Sequence, residues 1–140
     1  MRTTPWELSK EDIGWLSGII DGEGSIHIKH YEQYPHFRYG LYLINTNEEL
    51  LEKCKRIITA IDDVDHGRGL AIYKKNYKVG LGKKQCYQLQ IRRIGTLISI
   101  LKTTLPHLTE KRERATELLS ELSNHKKNAR WKIERQARRD

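Results

Sequence analysis

The sequence predicts an α+β domain in the order αββαββα, with four antiparallel strands backed on one face by helices. Three observations predict it. Two capping-box signals, Ser9-Lys10-Glu11-Asp12 and Thr46-Asn47-Glu48-Glu49, each open a stretch of helical periodicity. Each helical stretch is followed by two strand-like runs. A length of 140 residues suffices for one core and falls short of two. Two αββ units in succession imply a four-stranded antiparallel sheet, helices on one side and a bare, polar face on the other.

The first helix starts after Ser9, with Leu8 and Ile13 placed as a hydrophobic staple, and Ile13, Leu16 and Ile20 recur as its core-facing stripe. Gly14, Ser17, Gly18 and Asp21 read as a second face, on which small residues let another backbone come close. The helix ends at Gly22-Glu23-Gly24. Residues 25–31 alternate with Ile26 and Ile28 inward, and 37–44 with Tyr39, Leu41 and Leu43 inward, as an antiparallel hairpin.

The second helix carries Leu50, Leu51, Cys54, Ile57, Ile58 and Ile61, and a turn at 62–67 ends it. Two further strands fall at about 68–74 and 85–91, separated by the basic, glycine-bearing stretch 75–84. A third helix covers roughly 96–104 and stops at Pro106; the last runs from about 108 to 123 with Ala115, Leu118, Leu119 and Leu122 apolar. One domain over 1–124 and a basic tail or helix over 125–140 is the expected division.

The composition excludes several classes. At 37% hydrophobic and 31% charged residues this is a folded, soluble type of chain. No apolar run reaches a bilayer's width, and Met1-Arg2-Thr3-Thr4-Pro5 leads into no signal-peptide core. The expected setting is intracellular, cytoplasm or organelle matrix, with no membrane partner. Cys54 and Cys86 stand alone, without zinc-knuckle or disulfide spacing. His27-x-x-His30 on a strand points its rings to opposite faces, a poor zinc pair. The net charge of +8 implies a polyanionic partner, a nucleic acid first. Residues 125–140 hold seven Lys and Arg against two carboxylates, so much of that charge lies in the tail. On the bare sheet face the phosphate-holding and base-reading side chains are His27, Lys29, Tyr31, Arg38, Tyr42, Gln88 and Gln90, with Arg68 and Lys74 from the third strand.

The chemistry concentrates in Leu16-Ser17-Gly18-Ile19-Ile20-Asp21-Gly22-Glu23-Gly24-Ser25. Asp21 and Glu23 come at a helix C-terminus, where carbonyls lack intrahelical partners and the helix dipole is negative. A carboxylate added there makes a cation site of the oxygen type that suits Mg²⁺.

This string resembles the motif that defines the LAGLIDADG homing endonucleases, and the element order resembles that family's fold over nearly the whole chain. The resemblance implies that Glu23 binds the catalytic metal with the Gly22 carbonyl nearby; glutamate in place of the commoner aspartate adds one methylene. A single motif resembles the homodimeric members, in which two motif helices pack together; Gly14, Ser17, Gly18 and Asp21 would form that interface. Leu105-Pro106-His107-Leu108-Thr109-Glu110-Lys111 resembles the family's Pro-x-Leu-x-x-Lys segment, and Lys111 also lies on the apolar stripe of its helix, four residues before Ala115. Lys111 would act at the scissile phosphate, and Asn47 matches a polar position in the water network. The implied activity is intron-encoded, site-specific cleavage of double-stranded DNA by metal-dependent phosphodiester hydrolysis at a long pseudo-palindromic site. Mg²⁺ is the implied cofactor, Mn²⁺ a substitute, and Ca²⁺ is expected to support binding without cleavage. Two alternatives share the resemblance: an RNA-binding maturase with intron RNA as partner, and a DNA-binding regulator that does not cleave.

Overall fold

A computed structural model describes residues 8–30, 37–62, 70–79 and 82–124. The order is α1 (Lys10–Glu23), β1 (Gly24–His30), β2 (Phe37–Asn45), α2 (Glu48–Asp62), β3 (Leu70–Val79), β4 (Gly82–Ile91), α3 (Ile94–Thr104), a 3₁₀ turn (Leu105–His107) and α4 over 112–124. The four strands form one antiparallel sheet in the order β1-β2-β4-β3, so the predicted architecture stands.

The capping box at α1 forms as its residue types require. The Asp12 N–H donates to Ser9 Oγ at 3.1 Å, and the Ser9 N–H returns a bond to the Asp12 carboxylate at 3.1 Å. These bonds from Ser9 hold the Asp12 carboxyl below its ordinary range. Leu16, Ser17 and Ile20 are the buried face of the helix. Ser17 therefore does not belong with the glycines: it is 1% exposed and donates its hydroxyl to the Ile13 carbonyl at 2.7 Å. The helical period of 3.6 residues turns Ser17 about 100° away from Gly18, onto the side of Ile13, Leu16 and Ile20. The open face carries Gly14, Gly18 and Gly22 instead, each exposed and each with no atom of the described residues within 4 Å of where a Cβ would stand.

Helix passes into strand at Gly24 with no intervening loop. Its N–H bonds the Ile20 carbonyl, and a Cβ there would lie 2.5 Å from that same oxygen. Only glycine permits so close a turn of backbone on backbone.

The β3–β4 pair extends beyond the expected strands. Its ladder runs from Leu70↔Ile91 out to Val79↔Gly82, taking up most of the stretch 75–84 that reads as a loop. Alternation reports burial against a helix layer, which Lys, Asn, Tyr and Gly do not display, whereas ladder bonds are made by backbone and need no pattern.

Leu41 and Leu43 of β2 oppose Ile91 and Leu89 of β4, which oppose Leu70 and Ile72 of β3. Against this face pack Leu16 and Ile20 of α1, Leu51, Ile57 and Ile58 of α2, and Leu97, Ile100 and Leu101 of α3. Cys54 lies in the same core, where burial pushes its thiol up to about 12. The end of α2 is tied to the start of α3 by Asp62, whose carboxylate accepts from Thr96 Oγ1 at 2.6 Å and pairs with Arg93 at 3.6 Å.

The last helix starts later than its periodicity indicates. Leu108 is extended and buried after the 3₁₀ turn, and α4 begins only at 112, because 109–111 form a turn held from α1. Ala115, Leu118 and Leu122 then enter the core. Among the described residues no helix is long and apolar enough to cross a membrane.

Candidate active site

The C-terminal end of α1 is where the chain gathers its chemistry. The Asp21 carboxylate accepts the Lys111 N–H at 2.8 Å and the Thr109 N–H at 3.2 Å, satisfying donors of the turn that leads into α4. These bonds, that from Lys111 foremost, hold the Asp21 carboxyl below the ordinary carboxylate range. Asp21 thus ties the end of α1 to the turn that leads into α4. Lys111 reciprocates, its ammonium donating to the Asp21 carbonyl at 2.9 Å. A cation at the C-terminus of α1 satisfies a carbonyl left over by the helix and complements its dipole. The side chain is half-buried, and two of its three N–H donors remain for another acceptor.

Glu23, one residue before the strand, is exposed, and its Oε2 accepts a bond from Asn45 Nδ2 at 2.8 Å. Asn45 Oδ1 in turn accepts the Asn47 N–H at 2.8 Å, and Asn47 Oδ1 accepts the Leu50 N–H at 3.3 Å. Asn47 therefore caps α2, replacing the expected Thr46 as the capping side chain, and the polar contact to Glu23 comes from Asn45, two residues earlier. A signal for Asn45 exists in the sequence: it continues the inward alternation of Tyr39, Leu41 and Leu43, and a polar residue at the next inward place asks for a partner.

Register sorts the sheet face. Ser25, Tyr42, Gln90 and Ala71 form one transverse row, and Ile44, Gln88 and Tyr73 the next. His27 Nε2 shares a hydrogen bond with Ser25 Oγ at 2.8 Å, and its ring meets Tyr42 edge to face at 4.7 Å. Tyr42 can lie as it does because residue 40 is glycine: a Cβ there would stand 2.7 Å from the phenol oxygen. Gln90 donates to Gln88 at 2.8 Å, and Gln88 is only 8% exposed, while Tyr73 and Ile44 are 46% and 37% exposed. Lys29 and Arg38 are register partners one step beyond His27 and Gly40 along the hairpin. Lys74 departs from its expected place. Its partner is Tyr87, in the alternating series of Leu70 and Ile72, so it lies on the opposite side of the sheet from Tyr73 and Gln88, and there it is exposed. Tyr31, Arg68 and the tail 125–140 lie outside the described residues.

Among the described residues no group of three or more His, Cys, Asp or Glu could enclose a metal ion. One carboxylate with a free oxygen, beside a helix-end carbonyl, fits instead a cation completed by water and phosphate, the usual habit of Mg²⁺.

No protein-family model and no curated protein matches the chain. Solved structures do. The group I intron-encoded homing endonuclease I-CeuI, complexed with DNA, superposes with a TM-score of 0.63 at 14% identity over 94% of this chain and 63% of its own. The homing endonuclease I-CvuI, with uncleaved DNA in the presence of Mg, gives 0.56 at 20% identity over 82% of this chain and 69% of its own. The LAGLIDADG homing endonuclease I-GzeII, with its DNA target, gives 0.54 at 15% identity over 85% of this chain and 38% of its own. The class that the architecture defines is an α+β domain with a polar antiparallel sheet face and a carboxylate at the end of its first helix. That fold is the fold of the LAGLIDADG homing endonucleases.

Proposed function

We propose that the chain is a site-specific, metal-dependent DNA endonuclease that works as a homodimer. The observation that carries this reading is the meeting of Glu23 and the open glycine face of α1 with Lys111, which bonds the end of that helix from the turn before α4, next to a sheet face of amide and aromatic side chains. Cutting a duplex needs two scissile phosphates served at once. A two-fold contact through Gly14, Gly18 and Gly22 would bring two copies of α1, and with them two Glu23 carboxylates, to a common axis.

Glu23 and the Gly22 carbonyl would hold Mg²⁺, with Mn²⁺ a substitute. When bound, the ion lowers the pKa of water and offsets charge on the phosphate. The chain's own groups do the rest. Lys111, its ammonium fixed by Asp21, offers donors to the charge that develops on the phosphoryl oxygens. Gln88 and Gln90, already bonded to each other, retain amide groups for base edges, and Lys29 and Arg38 supply phosphate contacts from the hairpin. The basic tail 125–140 would add sequence-independent attraction to the duplex.

The test is a plasmid library carrying randomised inserts, incubated with the purified chain. The expected outcome is linearisation of a small set of inserts in Mg²⁺ and retention without cutting in Ca²⁺. Retention of DNA with no cutting in either ion would leave a binding protein, and the endonuclease reading would be wrong.

A further inference from the structure

We infer that Asn45 is a positioning residue for Glu23, holding the carboxylate so that one chosen oxygen faces the cation. The inference rests on the proposed reading of Glu23 as a metal ligand. An exposed glutamate has three rotatable bonds and loses substantial freedom when a ligand fixes it. Here Asn45 Nδ2 occupies Oε2 at 2.8 Å, leaving Oε1 with no hydrogen bond among the described residues. Asn45 is itself fixed, because its Oδ1 accepts the Asn47 N–H at 2.8 Å. That bond also settles which way the amide points. Rotated by half a turn, it would oppose its NH₂ to the Asn47 N–H and its oxygen to the Glu23 carboxylate, two repulsive contacts in place of two bonds.

The donor is neutral, so the full negative charge of Glu23 stays available to a cation, which a lysine in the same place would cancel. The chain departs from the commoner motif by carrying glutamate, and the added methylene is the flexibility that Asn45 removes. Outer partners of this kind orient a metal-ligating carboxylate, and losing one typically lowers metal affinity about 10- to 100-fold.

The experiment titrates Mn²⁺ into the full chain labelled with ¹⁵N and follows paramagnetic broadening of the Gly24 amide. Asn45→Ala and Asn45→Ser should each raise the half-saturating Mn²⁺ concentration by about tenfold. The serine variant keeps a short acceptor for the Asn47 N–H but cannot reach Glu23, so it separates orientation of the carboxylate from integrity of the strand end. In a Glu23→Asp background, where the shorter side chain falls away from Asn45, Asn45→Ser should leave the midpoint unmoved. Wild-type midpoints for both Asn45 variants, with saturable broadening abolished by Glu23→Gln, would overturn the inference alone. Broadening unaffected by Glu23→Gln would overturn the ligand reading itself, and the inference with it.

Discussion

Asp21 and Glu23 stand two residues apart in one motif and have opposite uses. Asp21 turns back onto Thr109 and Lys111, while Glu23 is left in the open with Asn45 as its one hydrogen-bond partner among the described residues. The difference has a consequence for acid stability. Because the folded-state pKa of Asp21 is depressed, its contribution is fully present above the ordinary carboxylate range and is lost as pH falls through the folded value. Asp12, depressed by its bonds from Ser9, acts in the same direction. Asp21→Asn should therefore lower the melting temperature at pH 7 and flatten its decline as pH falls below the ordinary carboxylate range, as followed by circular dichroism. An unchanged pH profile would mean that this tie contributes nothing. Lys111 bears on stability and, as proposed, on catalysis. Lys111→Met should cost roughly 1 kcal/mol in urea unfolding for its lost bond to the Asp21 carbonyl, and about 10²-fold in single-turnover cleavage if its remaining donors serve the phosphate. A variant that is destabilised yet cuts at the wild-type rate would confine Lys111 to capping α1.

At the scale of elements, α1 presents two faces with different purposes, and the distinction is testable because the glycine face is empty within one chain. Among the described residues nothing stands within 4 Å of a Cβ at Gly18, so the side chain of Gly18→Leu starts in open space. Replacing a helical glycine also removes a backbone-entropy penalty of about 0.5–1 kcal/mol. The expected outcome is a sedimentation coefficient that drops from dimer to monomer while the circular dichroism spectrum stays that of the folded chain. A leucine variant that still sediments as a dimer would show that the helices do not meet through this face. The elements also show how far pattern reaches. Helix starts carried by a cap, as at Ser9, and strands alternating against a helix layer, as at Leu41 and Leu43, were legible, since their physics is local or periodic. The outer β3–β4 ladder was not, because backbone pairing leaves no mark on side-chain pattern. The start of α4 was misjudged for a related reason: a bond from Asp21, far away in sequence, decides it.

For the whole molecule, the layered arrangement puts core chemistry on one side of the sheet and polar chemistry on the other, with the end of α1 at the place where the two meet through β1. The sequence marks the stretch Leu16 to Ser25 and Lys111, and the fold brings Lys111 to the end of α1. The bond from Asn45 to Glu23 was not legible in the sequence, since it depends on strand register and on how the β2–α2 junction folds back. The central claim is that Glu23 serves the cleavage of DNA and not the fold or the grip on DNA. Glu23→Gln removes the charge while keeping nearly the same shape and an oxygen for Asn45. The most direct measurement compares this variant with the wild-type chain on one library-selected target, scoring gel-shift affinity and single-turnover cleavage in Mg²⁺ side by side. The expected result is affinity for the target unchanged within a few-fold and cleavage reduced to background; cleavage by the glutamine variant at the wild-type rate would contradict it.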